Sequence, residues 1–202
     1  MEGDDSGMRI LDVVSDRIIA ITSPRMVFLS LLGFLITAFL INGRPFGVAQ
    51  LNEITGGVGL LDMEFLYTPQ QAYAHLAAMG EAGRAFDLTH IVPLDLVFPF
   101  MYTLFYAVTM TWFLRQWLPK ASGWYRLNVI PVIGGTCDYL ENAGIIAMLL
   151  AWPTQLEAVA QFAMVAGLVK FGAIILAGII IMIAFAGWAV TSVRRRCRAA
   201  AA

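Results

Sequence analysis

Four ionisable side chains lie in stretches of this sequence that are otherwise almost free of charge. Asp95 stands at the start of one apolar run, Asp138 and Glu141 lie inside a second, and Lys170 lies inside a third. A charge placed in a bilayer costs at least about 3 kcal/mol unless it is paired, neutralised or hydrated. The same groups form ion pairs, transfer protons and bind polar ligand heads. These four residues are therefore the first candidates for chemistry.

Lys170 is expected to form an ion pair with Glu141 or Asp138, with Asn142 and nearby tyrosines completing the hydrogen bonds. Three acids face one lysine in the apolar runs. At least one carboxyl must therefore be protonated, bound to a cation, or paired with a cationic residue outside the runs. The candidates for that last pairing are Arg44, Arg84 and His90.

Two interpretations of this polar group follow. In the first it is a structural network that sets the register of the helices. In the second it is a pocket that opens outward, holds a polar ligand head or handles a proton, and uses Asp138 or Glu141 as general acid or base. The candidate binding residues are Asp95, Tyr102, Tyr106, Asp138, Glu141, Asn142 and Lys170.

Other motifs for metal or phosphate chemistry are weak. His75 and His90 have no neighbouring pattern of metal ligands. The run Gly56-Gly57-Val58-Gly59 lacks the Lys-Ser/Thr that follows a phosphate-binding loop. We therefore expect no metal and no cofactor.

The composition is that of an integral membrane protein. The chain has 202 residues, of which 59% are hydrophobic and 13% are charged, whereas soluble domains are about 25% charged. Its net charge of −1 provides no basic field that would attract nucleic acid. Membrane lipids, a small lipophilic ligand or another membrane protein are the expected partners.

Apolar runs and helix signals predict an all-α fold, a four-helix transmembrane bundle in one domain over residues 1–202. Residues 8–22 have the spacing and low net hydrophobicity of a helix on a membrane interface. Ser23-Pro24 is a typical helix start, and Thr154-Gln155-Leu156-Glu157 has the pattern of a capping box. Transmembrane helices are predicted at 26–43, 92–114, 129–151 and 155–193.

The segment 44–90 is a long outer loop in which one helix is predicted at 69–79. Thr68-Pro69-Gln70-Gln71 supplies its start signal, and Ala72, Leu76 and Met79 form its packing face. Residues 155–193 would span roughly 57 Å, against a hydrocarbon core of about 30 Å. The surplus length of this last helix is the expected packing partner of the outer helix.

Basic residues predict the orientation. They lie between the second and third predicted spans and after the fourth, whereas the connection between the third and fourth has none. By the positive-inside rule both termini are cytoplasmic. The residues concerned are Arg115, Lys120, Arg126, Arg194, Arg195, Arg196 and Arg198.

Two segments carry a resemblance. The run Cys137-Asp138-Tyr139-Leu140-Glu141-Asn142, together with the segment from Tyr67-Thr68-Pro69 through Asp95-x-x-x-Pro99-x-x-Tyr102, is similar to a pattern in small four-helix bacterial membrane proteins. This likeness implies the bacterial inner membrane and carries no activity. The placement of acids is loosely similar to the sterol-isomerase and sigma-2 type of membrane fold. That family's intramembrane histidine has no counterpart here, so the likeness implies no isomerase activity.

Three functions are compatible with these patterns. The favoured one is a non-catalytic accessory or lipophile-binding membrane protein with a buried polar cluster. The alternative is an intramembrane enzyme that acts on a lipid or isoprenoid by carboxyl acid/base chemistry. A proton- or cation-coupled carrier is disfavoured, because we find no internal repeat and expect no broken helix.

Overall fold

The computed structural model describes residues 3–119 and 122–200, with side chains for 9–119 and 122–193. Every regular element in this part of the chain is a helix, which confirms the predicted all-α class. Lys120 and the side chains of four arginines that predict the membrane orientation lie outside the described part of the chain. These are Arg194, Arg195, Arg196 and Arg198.

The helices follow one another with short connections. In chain order they are α1 (Gly3–Ile21), α2 (Pro24–Asn42), α3 (Val48–Thr55), α4 (Pro69–Ala78), α5 (Gly80–Phe86), α6 (Val92–Asp95), α7 (Phe98–Leu114), α8 (Ile130–Ala151) and α9 (Glu157–Ala200). Short 3-10 helices cover Leu61–Met63 and Gly123–Val129, and a π-helix covers Asp87–Ile91.

Three helical stretches are long and apolar enough to cross a membrane: Pro24–Asn42, Gly80–Leu114 and Glu157–Val193. The second stretch includes α5, the π-helix, α6 and α7. The remaining predicted span corresponds to α8, which has 22 residues but carries Asp138, Glu141 and Asn142 and is not among the three.

Two of the predicted helix starts are confirmed by their caps. The Ser23 hydroxyl accepts a hydrogen bond from the Met26 amide at 3.2 Å, with Pro24 in the first turn. Thr68 and Gln71 exchange both bonds of a capping box at the start of α4. Such caps depend only on residues within one turn, so they can be predicted from the sequence alone.

The predicted capping box at Thr154 is wrong. The last helix begins at Glu157 instead of residue 155, and the Leu156 carbonyl accepts its first bond, from the Ala160 amide at 3.0 Å. The Leu156 amide is occupied by the Tyr73 hydroxyl of α4, 2.5 Å away. A contact between distant segments therefore replaces the local cap.

Several predicted boundaries need smaller corrections. The first helix begins at Gly3 and not at residue 8, and α2 covers Pro24–Asn42 where 26–43 was predicted. The 3-10 turn delays the start of α8 to Ile130. In the segment 44–90 the prediction found α4 but missed α3, α5 and the π-helix.

The predicted span 92–114 is interrupted, contrary to expectation. Regular helix stops at Asp95 and resumes at Phe98, and Pro99 has no amide hydrogen to offer the Asp95 carbonyl. Two side chains of α8 bond the carbonyls at this point: Asn142 donates to Asp95 at 3.4 Å, and Tyr139 donates to Leu96 at 2.8 Å. Because this helix is broken, one of the two arguments against a proton- or cation-coupled carrier no longer applies.

The long helices pack around α7. Helix α2 packs on α7, and α7, α8 and α9 all contact one another. Helices α8 and α9 approach closely at small residues: a Cβ added to Gly144 would lie 2.8 Å from the Ala163 Cβ. Small residues allow such approach where lipid provides no hydrophobic drive for association.

The predicted outer helix packs against the start of α9. Ala72 and Leu76 of α4 are fully buried and Met79 is 2% exposed, in a cluster that includes Ala160 and Ala163 of α9. This contact confirms the packing face predicted for 69–79. The segment 44–90 is thereby fixed over the end of α8 and the start of α9.

Helix α1 is attached to the connection between α7 and α8. Arg115 donates to the Thr22 carbonyl at 3.0 Å, and buried Asn128 donates to the Ser15 carbonyl at 3.4 Å. An exposed ion pair joins Arg126 to Asp12 at 2.5 Å. The N-terminal helix thus lies at the end of the molecule opposite to α4.

Candidate functional site

Lys170 of α9 lies at the centre of a buried polar cluster. Its Nζ is 2.5 Å from Glu141 Oε2 and 3.7 Å from Asp138 Oδ1, both on α8. The Tyr102 hydroxyl of α7 donates to Asp138 Oδ2 at 2.8 Å. All four residues are at most 5% exposed. The predicted ion pair is confirmed, and Lys170 contacts both of the acids that were its candidate partners.

The spacing on α8 explains why one lysine contacts two acids. Asp138 and Glu141 are three residues apart and lie on one face of a helix, so both are directed towards α9. Gly167 lies one turn before Lys170 and allows the approach. A Cβ at this position would overlap Glu141 Oε1 and lie 2.9 Å from its carboxyl carbon. Gly167 is a site residue that the sequence analysis missed.

Asn142 and Asp95 meet through the backbone of the interrupted helix. The Asn142 amide group donates to the Asp95 carbonyl, and both side chains are buried. Asn142 therefore connects α8 to the helix interruption and is not among the residues that contact Lys170 here.

A fourth acid, Asp62, joins the cluster from the outer segment. The Lys170 ammonium is 3.4 Å from the Asp62 carbonyl, to which it donates. The Asp62 Oδ1 atom is buried and has no hydrogen-bond partner among the described residues. Burial raises the pKa of the Asp62 carboxyl, the Lys170 charge opposes this, and Asp138 adds to the rise. The sequence analysis missed Asp62 because only tertiary packing brings a loop residue here.

The three residues proposed as cationic partners for the surplus acid all have other contacts. Arg44 pairs with Glu53 at the surface. Arg84 donates to the Leu76 carbonyl at 2.7 Å and lies 4.3 Å above the Trp152 ring. His90 stacks on Phe86 with ring centroids 4.4 Å apart. None of these contacts neutralises a member of the cluster.

The cluster forms the polar wall of a cavity of about 260 Å³. Five of the predicted binding residues line it: Asp95, Tyr102, Tyr106, Asp138 and Lys170. Glu141 and Asn142 do not line this cavity. Asp62 lines it too, and the rest of the wall is largely apolar, contributed by Phe34, Ile41, Val48, Leu60, Met63, Phe98, Phe171 and Ile174 with Asn42.

The chemistry of this wall is that of a hydrogen-bond acceptor. Asp62 Oδ1 and Asp138 Oδ1 are both buried without a hydrogen-bond donor in the described part of the chain, although Lys170 lies 3.7 Å from the latter. A buried acceptor that lacks a donor costs about 1–3 kcal/mol. A molecule that brings a donor into the cavity would recover this free energy.

The described residues contain no group of three or more His, Cys, Asp or Glu side chains placed to hold a metal ion. His75 and His90 lie apart, the first with Nε2 3.4 Å from the Gly59 carbonyl oxygen and the second beside Phe86.

No family model, curated protein or solved structure matches this chain. The interpretation of the site therefore rests on its own geometry.

Proposed function

We propose that this chain is a multi-pass membrane protein that binds a small lipophile, whose polar end donates hydrogen bonds to the acids around Lys170. The observation that carries the proposal is the cavity with one acidic, lysine-centred wall and an otherwise apolar lining. Ligand sites in proteins are typically apolar cavities with a few convergent polar groups. Asp138, Lys170 and Tyr102 supply the convergent groups.

Four crossings of the membrane are part of this proposal. Helix α8 would be the fourth, with its polar side chains buried against α7 and α9 and with Ile133, Leu140 and Leu150 exposed on other faces. Buried polar residues and an exposed apolar surface are the arrangement expected of a helix in lipid.

The proposed location is the bacterial inner membrane, with both termini cytoplasmic. Arg115 and Arg126 lie at the end to which α1 is bound, as the positive-inside rule requires. Helix α1 would lie on the cytoplasmic interface, since Ile10, Val13 and Ile21 remain exposed beside its packed face.

The test is native mass spectrometry of the protein extracted gently from its own membranes. The wild type is expected to carry one reproducible small mass. Asp138→Asn changes the cavity wall and should lower the affinity for the bound molecule about tenfold or more, equivalent to about 1.4 kcal/mol of binding free energy. Glu141→Gln should retain it, because Glu141 does not line the cavity. Equal elution on size exclusion controls for folding.

A larger heteromeric complex without a bound small molecule would contradict the binding proposal. It would assign the protein as an accessory subunit and make the buried charges structural. This outcome is distinct from loss of ligand in the variants, because the wild type itself would carry no ligand.

A second candidate function is an intramembrane enzyme that acts on a lipid or isoprenoid. It is favoured by the position of Asp138, which lines the cavity and whose carboxylate accepts a hydrogen bond from the Tyr102 hydroxyl. A carboxyl in this setting could exchange a proton with a ligand, with Lys170 stabilising the charged form. Glu141 would then be a positioning residue, since it contacts Lys170 and not the cavity. This function would be established if the wild type converts the bound molecule into a product of different mass and the Asp138→Asn variant does not.

A further inference from the structure

The cavity lies in a gap between two of the long helices. Helices α2 and α9 both pack on α7, but the described parts of α2 and α9 barely touch each other. Phe34 of α2 and Phe171 and Ile174 of α9 line the cavity from opposite sides, and all three are only partly buried. The aromatic rings of α7 form the floor: Phe34 stacks on Phe98 with centroids 5.9 Å apart.

The surfaces next to this gap are those of helices in hydrocarbon. Leu35 of α2, next to Phe34, is 52% exposed, and Ile175 of α9, next to Ile174, is 56% exposed. Both helices belong to the stretches long and apolar enough to cross a membrane. An opening flanked by such faces meets lipid tails and not water.

The outer end of the cavity is covered by the segment that contains Asp62. Leu60 and Met63 line the cavity from this side, and Phe65 packs on Phe171 with ring centroids 5.5 Å apart. The polar wall thus lies beneath a cover on the outer side, while the apolar lining extends along α2 from Ile41 to Phe34. These two residues are about 10 Å apart along the helix axis.

We propose, resting on the proposed function, that the ligand is a single-chain amphiphile that enters from the bilayer through the gap between α2 and α9. Its hydroxyl or amine head would reach Asp138 and its tail would pass between Phe34 and Ile174 into the membrane. A volume of about 260 Å³ lies below the roughly 300 Å³ at which ligand sites usually begin. It holds a head and part of one chain, so a two-chain phospholipid would not be enclosed.

The experiment uses photolabelling of the full chain in phosphatidylcholine vesicles. The probe is palmityl alcohol with a diazirine in its chain, and labelled peptides are mapped by mass spectrometry. We expect the wild type to be labelled at peptides containing Tyr102 and Phe171, in competition with unlabelled palmityl alcohol. A short, water-soluble diazirine alcohol should label these peptides far less.

Two residues of α9 provide the variants. Ile174→Trp fills the gap and should reduce the cavity labelling several-fold. Leu176→Trp is the matched control, since it adds the same volume at an exposed position on the face of α9 turned away from the cavity, and it should leave the labelling unchanged. Ile174→Ala, which widens the gap, should increase labelling, and it tests the route should Ile174→Trp not fold.

The outcomes separate the route from the function. Strong cavity labelling that is the same in wild type, Ile174→Trp and Ile174→Ala would overturn the lateral route and leave lipophile binding intact. Preferential labelling by the short alcohol would also overturn it, in favour of entry from water. Absence of cavity labelling in the wild type with both probes would overturn the proposed function itself.

Discussion

The carboxylate of Glu141 lies against the backbone of Gly167, one helical turn from the lysine with which it forms an ion pair. The pair therefore depends on the lack of a side chain at this position of α9. Helix α9 thus contributes both the cation and the space that the anion occupies.

Gly167→Ala is expected to destabilise the protein by about 1–3 kcal/mol, because the added methyl group overlaps Glu141 Oε1 in a packed interior. Gly172→Ala is the matched control on the same helix, where nothing lies within 4 Å of an added Cβ. This control should be neutral or stabilising, as alanine favours helix. Thermal unfolding in detergent measures both, and equal losses would contradict the role assigned to Gly167.

Lys170→Met should be strongly destabilising, by about 3–5 kcal/mol, because it leaves buried acids without their cation. Lys170→Met combined with Glu141→Gln should recover part of this loss. A double-mutant cycle on unfolding free energies is the measurement, with an expected coupling of about 0.5–3 kcal/mol. If Lys170→Met leaves folding unchanged while Glu141→Gln alone unfolds the protein, the pairing is wrong.

Tyr102→Phe should destabilise the protein by about 1–3 kcal/mol, since it removes the donor to the buried Asp138 carboxylate. Tyr106 lines the same cavity but is only partly buried. Tyr106→Phe should therefore have the smaller effect on thermal unfolding. A larger loss in Tyr106→Phe than in Tyr102→Phe would contradict this assignment.

The two capping-box patterns should respond differently to the same substitution. Thr68→Ala removes a box that forms and should cost about 0.5–2 kcal/mol of unfolding free energy. Thr154→Ala changes an exposed residue that lies three positions before Glu157, the first residue of α9, and it should have little effect. Chemical denaturation of both variants decides the matter, and a comparable loss in Thr154→Ala would restore the cap that the sequence suggested.

The stability of the protein should depend on pH through Asp62. Burial raises the folded-state pKa of Asp62, so its protonated carboxyl stabilises the fold relative to the ionised one. This stabilisation is fully present below the unfolded pKa of about 4 and is lost as pH rises through the folded pKa. Asp62→Asn removes this loss. The melting temperature of Asp62→Asn relative to wild type should therefore increase as pH rises above the unfolded pKa of about 4. A constant difference would show that folding does not raise the pKa of Asp62.

The sequence predicts those parts of the site that a local or energetic rule compels. Lys170 and Glu141 pair because a buried charge without a partner is costly, and Thr68 caps α4 because its partners lie within one turn. Pro99 indicates the interruption of the second span, whereas the length of the uncharged run predicts one continuous helix. Composition thus outweighed a signal that was present.

The remaining features depend on contacts between segments far apart in sequence. Asp62 reaches the cluster only because the outer segment folds over α9, and Gly167 matters only because Glu141 lies opposite. Tyr73 takes the Leu156 amide and moves the start of α9. No periodicity or motif encodes such pairings, so they require the structure.

The interruption of the second span has a consequence for biogenesis. The carbonyls of Asp95 and Leu96 receive their hydrogen bonds from Asn142 and Tyr139, which are synthesised more than forty residues later. Until α8 arrives, the earlier helix would present unsatisfied backbone groups to hydrocarbon, at a cost of several kcal/mol each. With α8 as the proposed fourth span, the two helices should therefore leave the insertion machinery together, as a hairpin whose second arm completes the backbone of the first.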